Sequence, residues 1–182
     1  MSAHPTARPT PGFLTLSTAR EVGILLALSL LFPFLIHLIP VPEDARLGQR
    51  LLPIFYAPLL GVLWGRSRSA AVVAVLAPWL NWLLTQHPSP PSATLMSVEL
   101  LAFTFTVATL RARVGLRWWI SLPAYVIGRA ATIILAALIP ALIHQRSLLD
   151  WAATSTVQAF PGLAVLVLLT LLVQRFYPPT PA

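Results

Sequence analysis

The sequence predicts an all-α integral membrane protein, a bundle of six transmembrane helices with the N- and C-termini cytoplasmic. Three observations predict it. Of 182 residues, 57% are apolar and 9% charged, where an average soluble domain carries roughly a quarter charged residues; the mean hydropathy is +0.81. The uncharged residues fall in runs long enough to cross a hydrocarbon core. The arginines are unevenly shared between the connections, as the positive-inside rule requires. This composition excludes a soluble globular domain and a disordered chain. The absence of cysteine excludes disulfides, thiolate metal sites and cysteine nucleophiles. The net charge is +7 and every basic residue is Arg. No exposed basic domain exists to bind nucleic acid, so the charge reads as topology.

Residues 1–17 are rich in Pro and Thr and read as a disordered cytoplasmic tail. The membrane domain covers 18–176, and 177–182 form a second disordered tail. The first apolar stretch is too long for a signal-peptide core and no small-x-small site follows it, so no cleavage is expected. Thr18 and Glu21 have the spacing of a capping box that opens span one. The spans fall at 21–40, 50–65, 69–85, 95–110, 118–143 and 152–174. Spans three and four are separated by TQHPSPPSA, where Pro88, Pro90 and Pro91 deny a continuous helix. Spans two to four hold about 15–17 apolar residues against the ~20 of an upright span. Interfacial Trp and Arg would help them fit, or one segment is re-entrant. With the N-terminus inside, the inner segments hold Arg8, Arg20, Arg66, Arg68, Arg111, Arg113, Arg117 and Arg175 against Glu21 alone. The outer segments hold Arg46, Arg50 and Arg146, balanced by Glu43, Asp44 and Asp150.

Polar residues inside a membrane are costly, about 2.5–3.5 kcal/mol for a mid-span Arg or Asp. Glu99 falls about a turn inside the outer end of span four, and Arg129 near the middle of span five. Gln158, Asn81, Trp79 and Trp82 lie in the outer halves of their spans. His37 and His144 stand at outer ends. This gathering predicts a pocket open to the outside, lined by apolar rings and a few convergent polar groups. Trp79 and Trp82 would supply stacking area or belong to the interfacial belt; Asn81 would hydrogen-bond a ligand or a neighbouring helix; Glu99 and Gln158 would hydrogen-bond a ligand; His37 would border the site or simply face the interface, as His144 would. Arg129 would pair with a ligand carboxylate or with Glu99, and a purely structural Glu99–Arg129 ion pair is the competing reading. Trp151, beside Asp150, and Trp118 and Trp119, beside Arg117, read as interfacial belt residues. The four histidines are too scattered for a metal site, and no cofactor is expected. GVLWG places Gly61 and Gly65 in a GxxxG, and Gly23 with Ala27 makes a second small-xxx-small pair. Both allow close helix approach, within the chain or to a partner. No HExxH, GxSxG or Walker lysine is present, so the chain has no P-loop of its own.

The run GVLWGRSRSAAVVAVLAPWLNWLLTQHP, followed by MSVELLAF, resembles the substrate-specific S component of energy-coupling factor (ECF) vitamin transporters. The resemblance lies in the glycines Gly61 and Gly65, in Pro78, Leu83, Leu84, Thr85 and Pro88, and in Met96 with Glu99. Gly128-Arg129 looks like the family's Gly-Arg, and Gln158, Pro161 and Gly162 look like its closing Gln/Pro-Gly region. It covers about residues 20–175. The chain departs from the family where Arg66 stands for Pro and Gln86 for Gly. It also has LPIFYAPLLG, with Phe55 and Tyr56, in place of a His-containing segment that lies by the ligand.

The resemblance implies a membrane subunit that captures a vitamin or related micronutrient near the outer face, with Tyr56 in the ligand segment. Its partners would be a membrane T component and two ABC-type ATPase subunits, in a prokaryotic cell membrane. Gly23 and Ala27 would lie on the docking face. The branch that the chain resembles includes pantothenate-type members, and a carboxylate ligand suits Arg129. A planar heterocycle or a corrinoid stays open. The alternatives are a membrane enzyme acting on a lipid-linked substrate and a ligand-free assembly protein.

Overall fold

In a hydrocarbon environment every backbone N–H and C=O needs a partner within the chain, which leaves the helix as the local solution for apolar runs. The structure, a computed structural model, describes residues 16–40, 47–143 and 147–176. Residues 1–15 and 177–182, which hold most of the two expected tails, lie outside the described residues, as do His4 and His144. The elements are α1 (Leu16–His37), α2 (Leu47–Leu51), a 3-10 turn (Pro53–Phe55) and α3 (Tyr56–Leu63). They continue with α4 (Ser67–Thr85), α5 (Pro90–Val114), α6 (Ser121–Leu138), a second 3-10 turn (Pro140–Ile143), α7 (Leu148–Gln158) and α8 (Phe160–Phe176). Among the described residues there is no strand.

Four helices, α1, α4, α5 and α6, are long and apolar enough to cross a membrane. The α7–α8 pair, bent by 46°, makes a fifth when counted as one span. This is the make-up of a multi-pass membrane bundle. Spans three and four, expected to be short, are helices of 19 and 25 residues.

The second run differs from expectation. It is no continuous span but α2, a 3-10 turn and α3. Pro53 opens the turn, and Leu52 before it is left-handed, at φ 54° and ψ 43°, a conformation that costs a non-glycine residue roughly 1–2 kcal/mol. Pro53–Leu63 covers only about 16 Å at the helical rise, half of a ~30 Å core. The segment is buried from Leu52 to Leu59 and runs antiparallel to α1. Gly61 faces Leu25, and the Tyr56 ring meets the Phe32 ring edge-on at 5.5 Å. It forms the centre of the bundle, with α1, α4, α5 and α8 packed around it.

Two other local expectations change. Thr18 lies within α1 and not at its N-cap, and Glu21 reaches across to α4, with Arg66 at 3.0 Å and the Ser69 hydroxyl donating at 2.9 Å. Gly65 does not pack between helices. At φ +80° it ends α3 in a Schellman motif, with Arg66 N–H donating to Gly61 C=O (2.8 Å) and Gly65 N–H to Val62 C=O (2.9 Å). Arg111 Nη1 also donates to Val62 C=O, at 2.7 Å. Glu21, Arg66 and Arg111 therefore share one end of the bundle.

Within the helices, hydroxyls turn back on the preceding turn: Thr104 to Leu100, Thr132 to Gly128 and Thr170 to Leu166. Pro78 removes the N–H that would reach Ala74 C=O, and one residue on the Ser97 hydroxyl of α5 donates to Val75 C=O at 3.0 Å. That bond sets the register of α4 against α5.

Glycines set the other close approaches. A Cβ at Gly128 would stand 2.8 Å from Glu99 C=O, and one at Gly162 would stand 2.6 Å from Leu52 Cγ and 2.8 Å from Arg50 C=O. At Gly61 it would meet Leu25 Cδ1 at 2.9 Å and Ala70 Cβ at 3.0 Å; at Gly23 it meets nothing within 4 Å. Gly128→Ala and Gly162→Ala are expected to lower stability by about 1–3 kcal/mol through overpacking against backbone. Gly23→Ala should be neutral or raise it by up to ~1 kcal/mol through helix propensity. Thermal unfolding of the detergent-solubilised variants measures the order.

Candidate functional site

Glu99 of α5 and Arg129 of α6 meet inside the bundle. Because Gly128 has no side chain, α6 lies directly on α5, and the next residue, Arg129, reaches Glu99. Arg129 Nη2 is 3.2 Å from Glu99 Oε1, with side-chain exposures of 12% and 7%. The contact is off the line of a hydrogen bond, so Glu99 Oε1 and Arg129 Nε are left without hydrogen-bond partners. Arg129 Nη2 also lies 3.0 Å from Tyr125 Oη, one helical turn back on α6.

Aromatic rings enclose the pair. The guanidinium carbon is 5.6 Å from the centre of the Tyr125 ring and 5.9 Å from that of Trp151, within the range of a cation–π contact. Tyr125 continues into Phe55 (6.0 Å between centres), which meets Phe103 edge-on at 5.1 Å. Arg129 is thus held by a carboxylate, a phenol and two ring faces drawn from α5, α6 and α7.

The sequence-predicted residues divide around this centre. Glu99 and Arg129 come together. Trp151, read as a belt residue, instead turns its ring onto Arg129. Trp79 and Trp82 are half-buried and stack edge-on against each other at 6.0 Å. From the Ser97–Val75 register, Trp79 sits about 9 Å further toward the 86–90 turn than Glu99. Asn81 is half-buried beside them, its main-chain carbonyl accepting from the Thr85 hydroxyl at 2.8 Å. Gln158 is half-buried at the last residue of α7, where the pair bends. Tyr56 is used elsewhere: its hydroxyl donates to Leu51 C=O and its ring rests on Phe32, while its neighbour Phe55 faces the cluster. His37 ends α1, and its side chain lies outside the described residues. Gly23 and Ala27 are exposed on the outer face of α1.

Sequence reasoning places neither Tyr125 nor Trp151 at the site, and within LPIFYAPLLG it singles out Tyr56 where the structure uses Phe55. The i, i+4 spacing of Tyr125 and Arg129 is the one local signal that points to Tyr125. Phe55 and Trp151 arrive from distant segments and carry no such signal.

Two grooves on the bundle lie away from Glu99 and Arg129. One of about 500 Å³ lies between α4 and α5. The other, about 380 Å³, lies beside Glu21 and Arg66. The ion pair is closed in by its own rings.

Removing one partner of a buried pair leaves an uncompensated charge and typically costs about 3–5 kcal/mol. Arg129→Met and Glu99→Gln are each expected to lower stability, the first by about that amount. The double variant should lose less than the sum of the two, as a double-mutant cycle of thermal unfolding in detergent will measure.

The chain matches no family model, no curated protein and no solved structure.

Proposed function

We propose that this chain is the substrate-binding membrane subunit of an ECF-type ABC importer, capturing a vitamin or related micronutrient near the outer face of a prokaryotic cell membrane. The observation that carries the reading is the buried Glu99–Arg129 pair with hydrogen-bonding atoms left unused, ringed by Tyr125, Trp151, Phe55 and Phe103. An ionisable pair inside a membrane bundle is by default a functional feature. The ordered likeness of residues 20–175 to S components supports the same reading. In it the buried α2–α3 segment counts as the second of six spans and both termini are cytoplasmic. The end that gathers Arg66 and Arg111 then faces inward, as the positive-inside rule requires.

A carboxylate ligand of the pantothenate kind suits this site. Arg129 would exchange Glu99 for the ligand carboxylate, and Trp151 would move aside to admit it. Glu99, released, would accept a hydrogen bond from a ligand hydroxyl or amide. Asn81 and Gln158 would bind polar atoms nearer the surface, where Trp79 and Trp82 cover the ligand and His37 borders it. Transport energy would come from a T component and two ATPase subunits, with Gly23 and Ala27 on the exposed face of α1 available for docking.

A thermal-shift screen of the detergent-purified chain against B vitamins and their precursors tests this. A ligand at about 100 times its Kd should add roughly 2.7 kcal/mol. The shift is expected with one carboxylate compound and should disappear in Arg129→Gln and weaken in Trp82→Ala. Co-purification with a T component encoded alongside it is the second expected result. A folded chain that responds to no compound and carries no T component would overturn the reading. Turnover of a lipid-linked substrate that Glu99→Gln abolishes would replace it with an enzyme.

A further inference from the structure

The 500 Å³ groove between α4 and α5 is apolar along its walls and opens at one end beside an exposed arginine. Its walls are Ala71, Val75 and Leu76 of α4 and Phe105 and Ala108 of α5. Thr104 also lines it, but its hydroxyl is turned inward onto Leu100 C=O at 2.6 Å. At one end stand Ser67 and Arg68. This is the end of the bundle where Gly65 turns the chain and Arg66 and Arg111 also lie. The nearest acid, Glu21, is occupied by Arg66 at 3.0 Å and Ser69 at 2.9 Å. Arg68 is exposed, and among the described residues no acid lies within ion-pair distance of it.

The length of the groove is informative. From Ser67 to Leu76 is nine helical steps, about 13 Å, close to the ~15 Å of one leaflet of a ~30 Å hydrocarbon core. An apolar channel of this length with an arginine at its end matches one lipid, headgroup at the charge and chain along the wall. Basic pockets between transmembrane helices select anionic headgroups in this way.

We infer that the α4–α5 groove is a binding site for an anionic phospholipid, its phosphate on Arg68 just beyond the end of the groove and an acyl chain along Ala71, Val75 and Phe105. The site is separate from the Glu99–Arg129 centre and stands whichever substrate that centre binds. In the six-span orientation it draws its lipid from the cytoplasmic leaflet.

The test uses the full chain in a neutral detergent, with phosphatidylglycerol, phosphatidylcholine of the same chain length, or free glycerophosphoglycerol added. Phosphatidylglycerol at about ten times its Kd should raise the Tm by about 3–6 °C. Phosphatidylcholine and the free headgroup should not, because one lacks net charge and the other lacks the chain. Arg68→Gln should remove the lipid-dependent shift while leaving the lipid-free Tm near that of the parent chain. Ala71→Trp, which fills the groove and keeps the charge, should remove it too, with folding checked by lipid-free unfolding. Equal shifts with both lipids, a shift with the free headgroup, no shift with any addition, or a shift that survives both substitutions would each overturn the inference. If the added lipid is without effect and a copurifying membrane protein is lost on Ala71→Trp, the groove is a helix-docking surface instead.

Discussion

A charge placed inside an apolar bundle has to be paired, and the rest of this structure is arranged around that requirement. Arg129 and Glu99 stand on neighbouring helices whose backbones meet only because Gly128 lacks a side chain. A Cβ there would strike the Glu99 carbonyl, part the helices and strand both charges. The close approach of α5 and α6 and the pairing of the charges are therefore one constraint. Tyr125, a turn before Arg129, and Trp151, brought in from α7, complete the shell. The pair need not be a source of net stability, since desolvation offsets much of the Coulombic gain.

The centre of the bundle is an interrupted segment and not a sixth long helix. Leu52 takes a left-handed conformation, Pro53 starts a 3-10 turn, and α3 begins only at Tyr56. The strain is held by packing, since Leu52 lies against Gly162 where any larger residue would collide. In exchange the break turns Phe55 toward Phe103 and Tyr125 and Tyr56 toward Phe32. A continuous helix would not present two adjacent aromatics to opposite neighbours in this way. The interruption thus connects the packing of α1 to the ring cluster beside the ion pair.

Charge is separated along the bundle axis as well as buried at its middle. Arg66, Arg68 and Arg111 occupy the end where α3 turns into α4, and two of them are committed, to Glu21 and to Val62 C=O. Arg68 is left to meet whatever lies at the membrane surface. The exposed face of α1, with Gly23 and Ala27, is not covered by any of the described residues. These two surfaces face outward.

The sequence by itself determined the class of the protein. Few charges, long uncharged runs and prolines at 88, 90 and 91 are local properties, and hydrocarbon leaves such runs only the helix. It also singled out Glu99 and Arg129, because a charge within an apolar run is conspicuous wherever its partner lies. Tertiary structure alone decided the rest. Gly61 and Gly65 look equivalent in sequence, yet one is a contact and the other a helix terminus, because only packing fixes which backbone must turn left-handed. Glu21 is three residues from Thr18 but bonds Arg66 and Ser69, since a partner across the bundle competes with a local cap. The break at Leu52–Pro53 and the recruitment of Phe55 and Trp151 depend on segments far apart in the chain. Hydropathy records how apolar a segment is; it holds no information on which neighbours that segment will meet.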